Sequence, residues 1–127
     1  MVGRPSSDSA FVNILKTDFD VFTKSYGLRY NVGVDETYKC VSRWLKSMSD
    51  EESHVLSDLF DGLSGGRCRG RFGHSKGYWK SDSVIASEAF AHFFSASTLD
   101  SKVKLDIIKT VFPNAYSEFL KLVGGIR

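Results

Sequence analysis

Glu88 and His92 are the residues best spaced for chemistry. They stand at i and i+4 in the segment SVIASEAFAHFFSAST, residues 83–98, so one helix turn brings their side chains together. A carboxylate beside an imidazole is what metal ligation or acid–base work needs. It is also what an ordinary solvated helix stripe looks like, and spacing alone favours that plainer reading. His54 and Asp58 repeat the same step further upstream, where a surface pair is the expectation. Only one more histidine exists, His74, and no two of the three are four residues apart. A histidine followed by glutamate is absent as well, so the chain has no HExxH zinc motif. Nor does it carry a Walker loop, a G-x-G-x-x-G or a G-x-S-x-G.

The second chemical cluster is SGGRCRGRFGHSKGYWK, residues 64–80, with five of the eleven glycines and no acid. Arg67, Arg69, Arg71 and Lys80, interleaved with Phe72, Tyr78 and Trp79, are a candidate phosphate- and base-binding set. The plainer account is a basic edge strand whose charges discourage edge pairing. Arginines at every second residue predict a short strand or hairpin with its charges on one face, pointing away from the core. Cys68 alternates with these arginines, which would lower its pKa. Cys40, among Tyr38, Val41 and Trp44, reads as a buried, inert thiol.

The elements that position these groups read as helices. Phe11, Leu15, Phe19 and Phe22 recur at steps of four and three behind a cap at Asp8 or Ser9, and Gly27 ends the run. Tyr38, Val41, Leu45 and Met48 follow a cap at Asp35. Ser49 or Asp50 opens a third helix with Glu51 and Glu52 in its first turn and Val55, Leu56, Leu59, Phe60 and Leu63 on its apolar side. In the fourth helix Ile85, Ala86, Ala89, Phe90, Phe93, Phe94 and Ala96 cover one broad side, opposite Glu88, His92 and Ser95. Asp100 caps a fifth. Pro113 opens a sixth, with Tyr116, Phe119, Leu120 and Val123 inward and Gly124 as its stop. The expected fold is mostly α: about six helices in one domain, residues 9–127, with a small β-hairpin or loop insertion and a loose segment at 1–8.

Composition agrees. The 127 residues are 42% hydrophobic and 25% charged, with ten Phe, five Tyr and two Trp, enough apolar volume for one core. That excludes whole-chain disorder and low-complexity repeats. Two cysteines without a CxxC are too few for a disulfide scaffold. No apolar run approaches a membrane span, and MVGRPSSDS has no apolar signal-peptide core. A net charge of +2 is too mild to argue for nucleic acid by itself.

Two stretches carry a resemblance. One is Leu56-Ser57-Asp58-Leu59-Phe60-Asp61, then Gly65-Gly66, Gly73-His74 and Tyr78-Trp79. The other is Ser87-Glu88-Ala89-Phe90-Ala91-His92-Phe93-Phe94, then Phe112-Pro113-Asn114-Ala115-Tyr116 and Phe119. Together, over about residues 50–123, they resemble the C-terminal part of zincin-like domains of phage minor head (head-morphogenesis) proteins, and more distantly the tail of the anthrax lethal factor type of zinc peptidase. The resemblance implies that Glu88 matches the third zinc ligand. It sets Tyr78 against the oxyanion-stabilising tyrosine, though at a different distance from Glu88. His74 falls in a Gly-His pair of the phage-type members that has no assigned ligand role. The missing HExxH removes the other two ligands and the general base, so zinc is expected only if that half is supplied elsewhere. The function implied is a phage or prophage structural or accessory protein without peptidase activity of its own, partnering capsid or portal protein in the host cytoplasm or on the virion, with no membrane partner. Part of a split zinc metallopeptidase and a nucleic-acid-binding module are the alternatives.

Overall fold

The computed structural model describes residues 5–70, 81–98 and 102–124. It holds six helices, α1 (Pro5–Tyr30), α2 (Val34–Ser47), α3 (Asp50–Ser64), α4 (Asp82–Thr98), α5 (Lys102–Val111) and α6 (Pro113–Gly124). Among the described residues there is no strand. No described helix is long and apolar enough to cross a membrane.

α1 is the axis of the domain, in contact with every other helix. At about 1.5 Å per residue its 26 residues run roughly 39 Å. Phe11, Val12, Leu15 and Phe19 are buried along it. The rings continue outward from this row: Phe11 meets Phe90 and Phe93, Phe19 meets Phe60, and Phe22 meets Trp44 and Phe60. Edge-on and tilted rings fill the space between helices while adding a quadrupole attraction of about 0.5–1.5 kcal/mol per pair.

Helix limits differ from the sequence reading in three places. α1 opens at Pro5, so Asp8 lies in its first turn instead of capping it; Asp8 accepts a hydrogen bond from the Ser83 hydroxyl at 2.8 Å, tying α1 to α4. Gly27 does not end α1. It is buried where α2 crosses, and a Cβ there would lie 2.7 Å from Thr37 Oγ1. The helix ends at Tyr30 with Asn31 left-handed at φ 53. The Asn31 N–H donates to the Leu28 carbonyl and the Val32 N–H to the Gly27 carbonyl, the two bonds of a Schellman motif. Asp35 likewise sits inside α2, whose N-cap is Gly33.

Of the two caps the sequence offers for α3, Ser49 and Asp50, Ser49 serves. Its hydroxyl oxygen accepts from the Glu52 N–H at 3.3 Å and donates to the Glu52 carboxylate at 3.0 Å. Gly65, at φ 66, closes the helix, a conformation in which a Cβ costs roughly 1–2 kcal/mol.

The strand expected at 67–71 is not formed over its described part; residues 67–70 are an irregular crossing segment. The alternation survives without the strand: Cys68 is fully buried while Arg67 and Arg69 are exposed. Side chains hold the backbone in place of a ladder. The Cys68 N–H donates to Ser64 Oγ at 2.8 Å, and the Arg69 N–H donates to Ser42 Oγ at 3.0 Å. Gly70 then passes so close to α3 that a Cβ would fall 1.9 Å from Ser57 Oγ and 3.1 Å from Leu45 Cβ. Gly70→Ala is expected to lose about 1–3 kcal/mol by overpacking, measured as a lower urea midpoint at unchanged slope.

α4 buries Ile85, Ala86, Ala89, Phe93 and Ala96. Phe94 departs from the sequence reading and is 53% exposed, as is Leu120 of α6 at 49%. The apolar side of α4 is narrower than its composition suggests. The turn that carries Glu88 and His92 faces α3 and takes the place assigned to Phe94. The cap expected at Asp100 lies outside the described residues.

Candidate functional site

α3 and α4 pack against one another, and their polar groups meet inside the contact. Val55, Leu56, Leu59 and Phe60 are all fully buried around Asp58. That surround carries the Asp58 carboxylate inward, to 5% exposure. A carboxylate so enclosed needs a donor. His92 supplies it, with Nε2 2.8 Å from Asp58 Oδ2. Glu88, one turn before His92, completes a group in which one ligand atom of each of Asp58, Glu88 and His92 lies within 4.8 Å of the others. The His54 ring stands edge-on to His92, 5.6 Å between centroids.

The stripe of Glu88 and His92 is therefore half-buried against α3, not solvated. His54 and Asp58 are not a surface pair either: His54 is exposed, Asp58 is buried, and Asp58 bonds the imidazole of the next helix. The sequence reading found Glu88 and His92 and missed Asp58 as their partner. A signal was present, since Asp58 lies between Val55, Leu56, Leu59 and Phe60 on the buried side of α3.

One imidazole and two carboxylates can ligate a divalent cation. They do not fit the zinc of a zincin-type peptidase. That centre takes two imidazoles from one helix plus the carboxylate, and a second carboxylate as general base. Here the second imidazole is replaced by Asp58, whose oxygen already accepts from His92. No glutamate follows any histidine.

Of the basic set, Arg67 bonds Asp35 and lies over the Tyr38 ring, its guanidinium carbon 4.7 Å from the centroid. Arg69 Nε is 3.3 Å from Asp61 Oδ1, on a carboxylate only 4% exposed. Both arginines thus face acids of α2 and α3, tying the crossing segment to those helices. Arg71, His74, Tyr78 and Lys80 lie outside the described residues.

The cysteines exchange roles. Cys40 is half-buried, with Arg43 Nη2 3.2 Å from its sulfur. Cys68 is enclosed, and burial pushes its thiol up to about 11, a hydrogen bond with Ser42 pulling only partly against this. The arginines beside it do not lower it. Folded chain keeps this proton between 9.0 and about 11, where unfolded chain releases it. Stability from this group is therefore whole below that window and is lost as pH rises through it. Iodoacetamide at neutral pH is expected to label Cys40 and spare Cys68 in folded protein, and to label both in denaturant, as intact mass will report.

Over the described residues, fold and site together define a six-helix domain with a carboxylate–imidazole cluster at the α3–α4 contact. No protein family matches the chain, and no curated protein or solved structure does.

Proposed function

We propose that the chain is a phage or prophage structural or accessory protein: a zincin-like module without peptidase chemistry of its own, serving contacts with capsid or portal protein. The observation that carries this reading is the 2.8 Å bond between His92 and the buried Asp58. It turns the residues nearest the expected zinc position into a clamp between two helices. The exposed rings and chains of Phe94, Val103 and Leu120 offer apolar surface for a partner.

The split-peptidase alternative requires an HExxH helix from another chain to reach Glu88, which α3 already half covers. The nucleic-acid alternative at the crossing segment is weakened by the acids facing Arg67 and Arg69.

Purified chain dialysed against zinc is expected to cleave nothing in a mixed peptide library. In lysate of infected or induced cells it is expected to co-purify with capsid or portal protein. Stoichiometric zinc with cleavage abolished by Glu88→Gln would overturn the reading in favour of a peptidase.

A further inference from the structure

A separate cleft shares no residue with the α3–α4 cluster. It lies between the last turns of α1 and the outer side of α2 and is lined by Tyr26, Tyr30, Cys40, Arg43, Trp44 and Ser47. Its volume is about 390 Å³, within the range of small-ligand sites. We propose that this cleft binds single-stranded nucleic acid, stacking a base on Tyr30 and Tyr26 and setting the Arg43 guanidinium on an adjoining phosphate. The proposal is independent of the functional reading above and stands or falls without it.

Three features argue for it. The walls are aromatic and held from behind. Tyr26 and Tyr30 lie one helical turn apart with centroids 4.8 Å from each other, and Trp44 is 6.3 Å from Tyr26. Phe22, packed on buried Phe60, backs Trp44 at 5.3 Å. A ring fixed before binding loses little freedom on binding. Tyr30 is 55% exposed, so a ring face remains open to a ligand.

The cleft also carries a cation, Arg43. Arg43 is 66% exposed at its side chain; its nearest carboxylate is the half-exposed Glu36 at 3.8 Å, a pair of little strength in water. Its Nη2 rests on the Cys40 sulfur, which aims the guanidinium along the cleft. Burial and the neighbouring Tyr30 and Cys40 raise the Tyr26 hydroxyl, with Arg43 and Arg29 pulling only partly against this.

Ring walls with a cationic neighbour select the ligand. An aromatic cage without a cation would take an ammonium group; Arg43 repels one. An aromatic ring carrying a negative charge suits both features, and a nucleotide unit is that chemistry. The cleft lies along the middle and last turns of α2, and its lining includes no glycine-rich loop that would hold a terminal polyphosphate. A strand passing through, one base stacked and its phosphate beside Arg43, matches the open shape. A duplex hides its base faces and does not.

The test uses full chain carrying Trp79→Phe, leaving Trp44 as the single tryptophan, titrated with fluorescein-labelled oligo(dT) at low salt. Expected are a rise in anisotropy, quenching of Trp44 and a loss of affinity with salt of about 0.7 log unit per log unit for each phosphate contacted. Tyr30→Ala and Arg43→Gln should each weaken binding about tenfold, within the range for one stacked base. Both positions are exposed, and circular dichroism checks that the variants fold. Arg67→Gln should change little. The proposal is overturned by no binding at low salt, by duplex binding as tight as single strand, or by binding that Tyr30→Ala leaves intact. Quenching by dTMP as strong as by the oligonucleotide would assign the cleft to a free nucleotide and overturn the strand.

Discussion

Phe93→Ala is expected to destabilise the domain by about 3–5 kcal/mol, the range for a buried phenylalanine truncated to alanine. Phe93 is fully buried in the middle of α4. Its ring lies between 5.7 and 6.3 Å from those of Phe11, Phe112, Tyr116 and Phe119, so it joins α1, α4 and α6. Truncation removes the ring and leaves a hole bounded by aromatic groups too rigid to collapse into it. Phe94→Ala, one residue on and half in water, should cost under about 1 kcal/mol. Paired urea denaturation of the two variants checks the phase of α4. Equal losses would mean that the helix is rotated from the position described.

Asp18→Ala is expected to lose about 2–3 kcal/mol, with the damage felt in α6 although the substitution is in α1. Asp18 is 3% exposed. Its carboxylate accepts from the Ala115 N–H at 2.8 Å and from the Asn114 side-chain amide at 2.9 Å. It therefore caps the start of α6 from across the fold, satisfying a donor left over by helix geometry and placing negative charge at the positive end of the helix dipole. Alanine leaves that buried N–H without an acceptor, costing about 1–3 kcal/mol. Hydrogen exchange is the discriminating measurement: amides at the start of α6 should lose protection beyond the global change, while those of α3 should follow the global change alone. Uniform loss across the chain would show that the cap has no local role.

The helices were legible because their signals are local. Apolar spacing locates α1 through α6, and Ser49 caps α3 through Glu52, three residues on. What was not legible depends on crossing partners. Gly27 reads as a terminator until α2 is seen to need the room, and residues 67–70 read as part of a strand until side chains of Ser42 and Ser64 take the backbone bonds of Arg69 and Cys68. Glu88 and His92 were found by spacing. Asp58 could be placed on the buried side of α3 from its apolar neighbours, but nothing in sequence ties residue 58 to residue 92. The aromatic cleft was hidden for the same reason, its two walls being 10 or more residues apart in chain order.

The position of α1 has a consequence for how the chain is made. Of the described helices α1 is translated first, yet its bonds close last: Asp8 waits for Ser83, and Asp18 for Asn114 and Ala115, up to 97 residues later. Until α4 and α6 exist, Phe11, Leu15 and Phe19 have only part of their cover. Such distant pairings slow folding relative to bundles of sequential neighbours, and they expose an apolar stripe to other nascent chains meanwhile. Synthesis and folding are thereby separated in time, because the core around α1 can close only once α6 has been made.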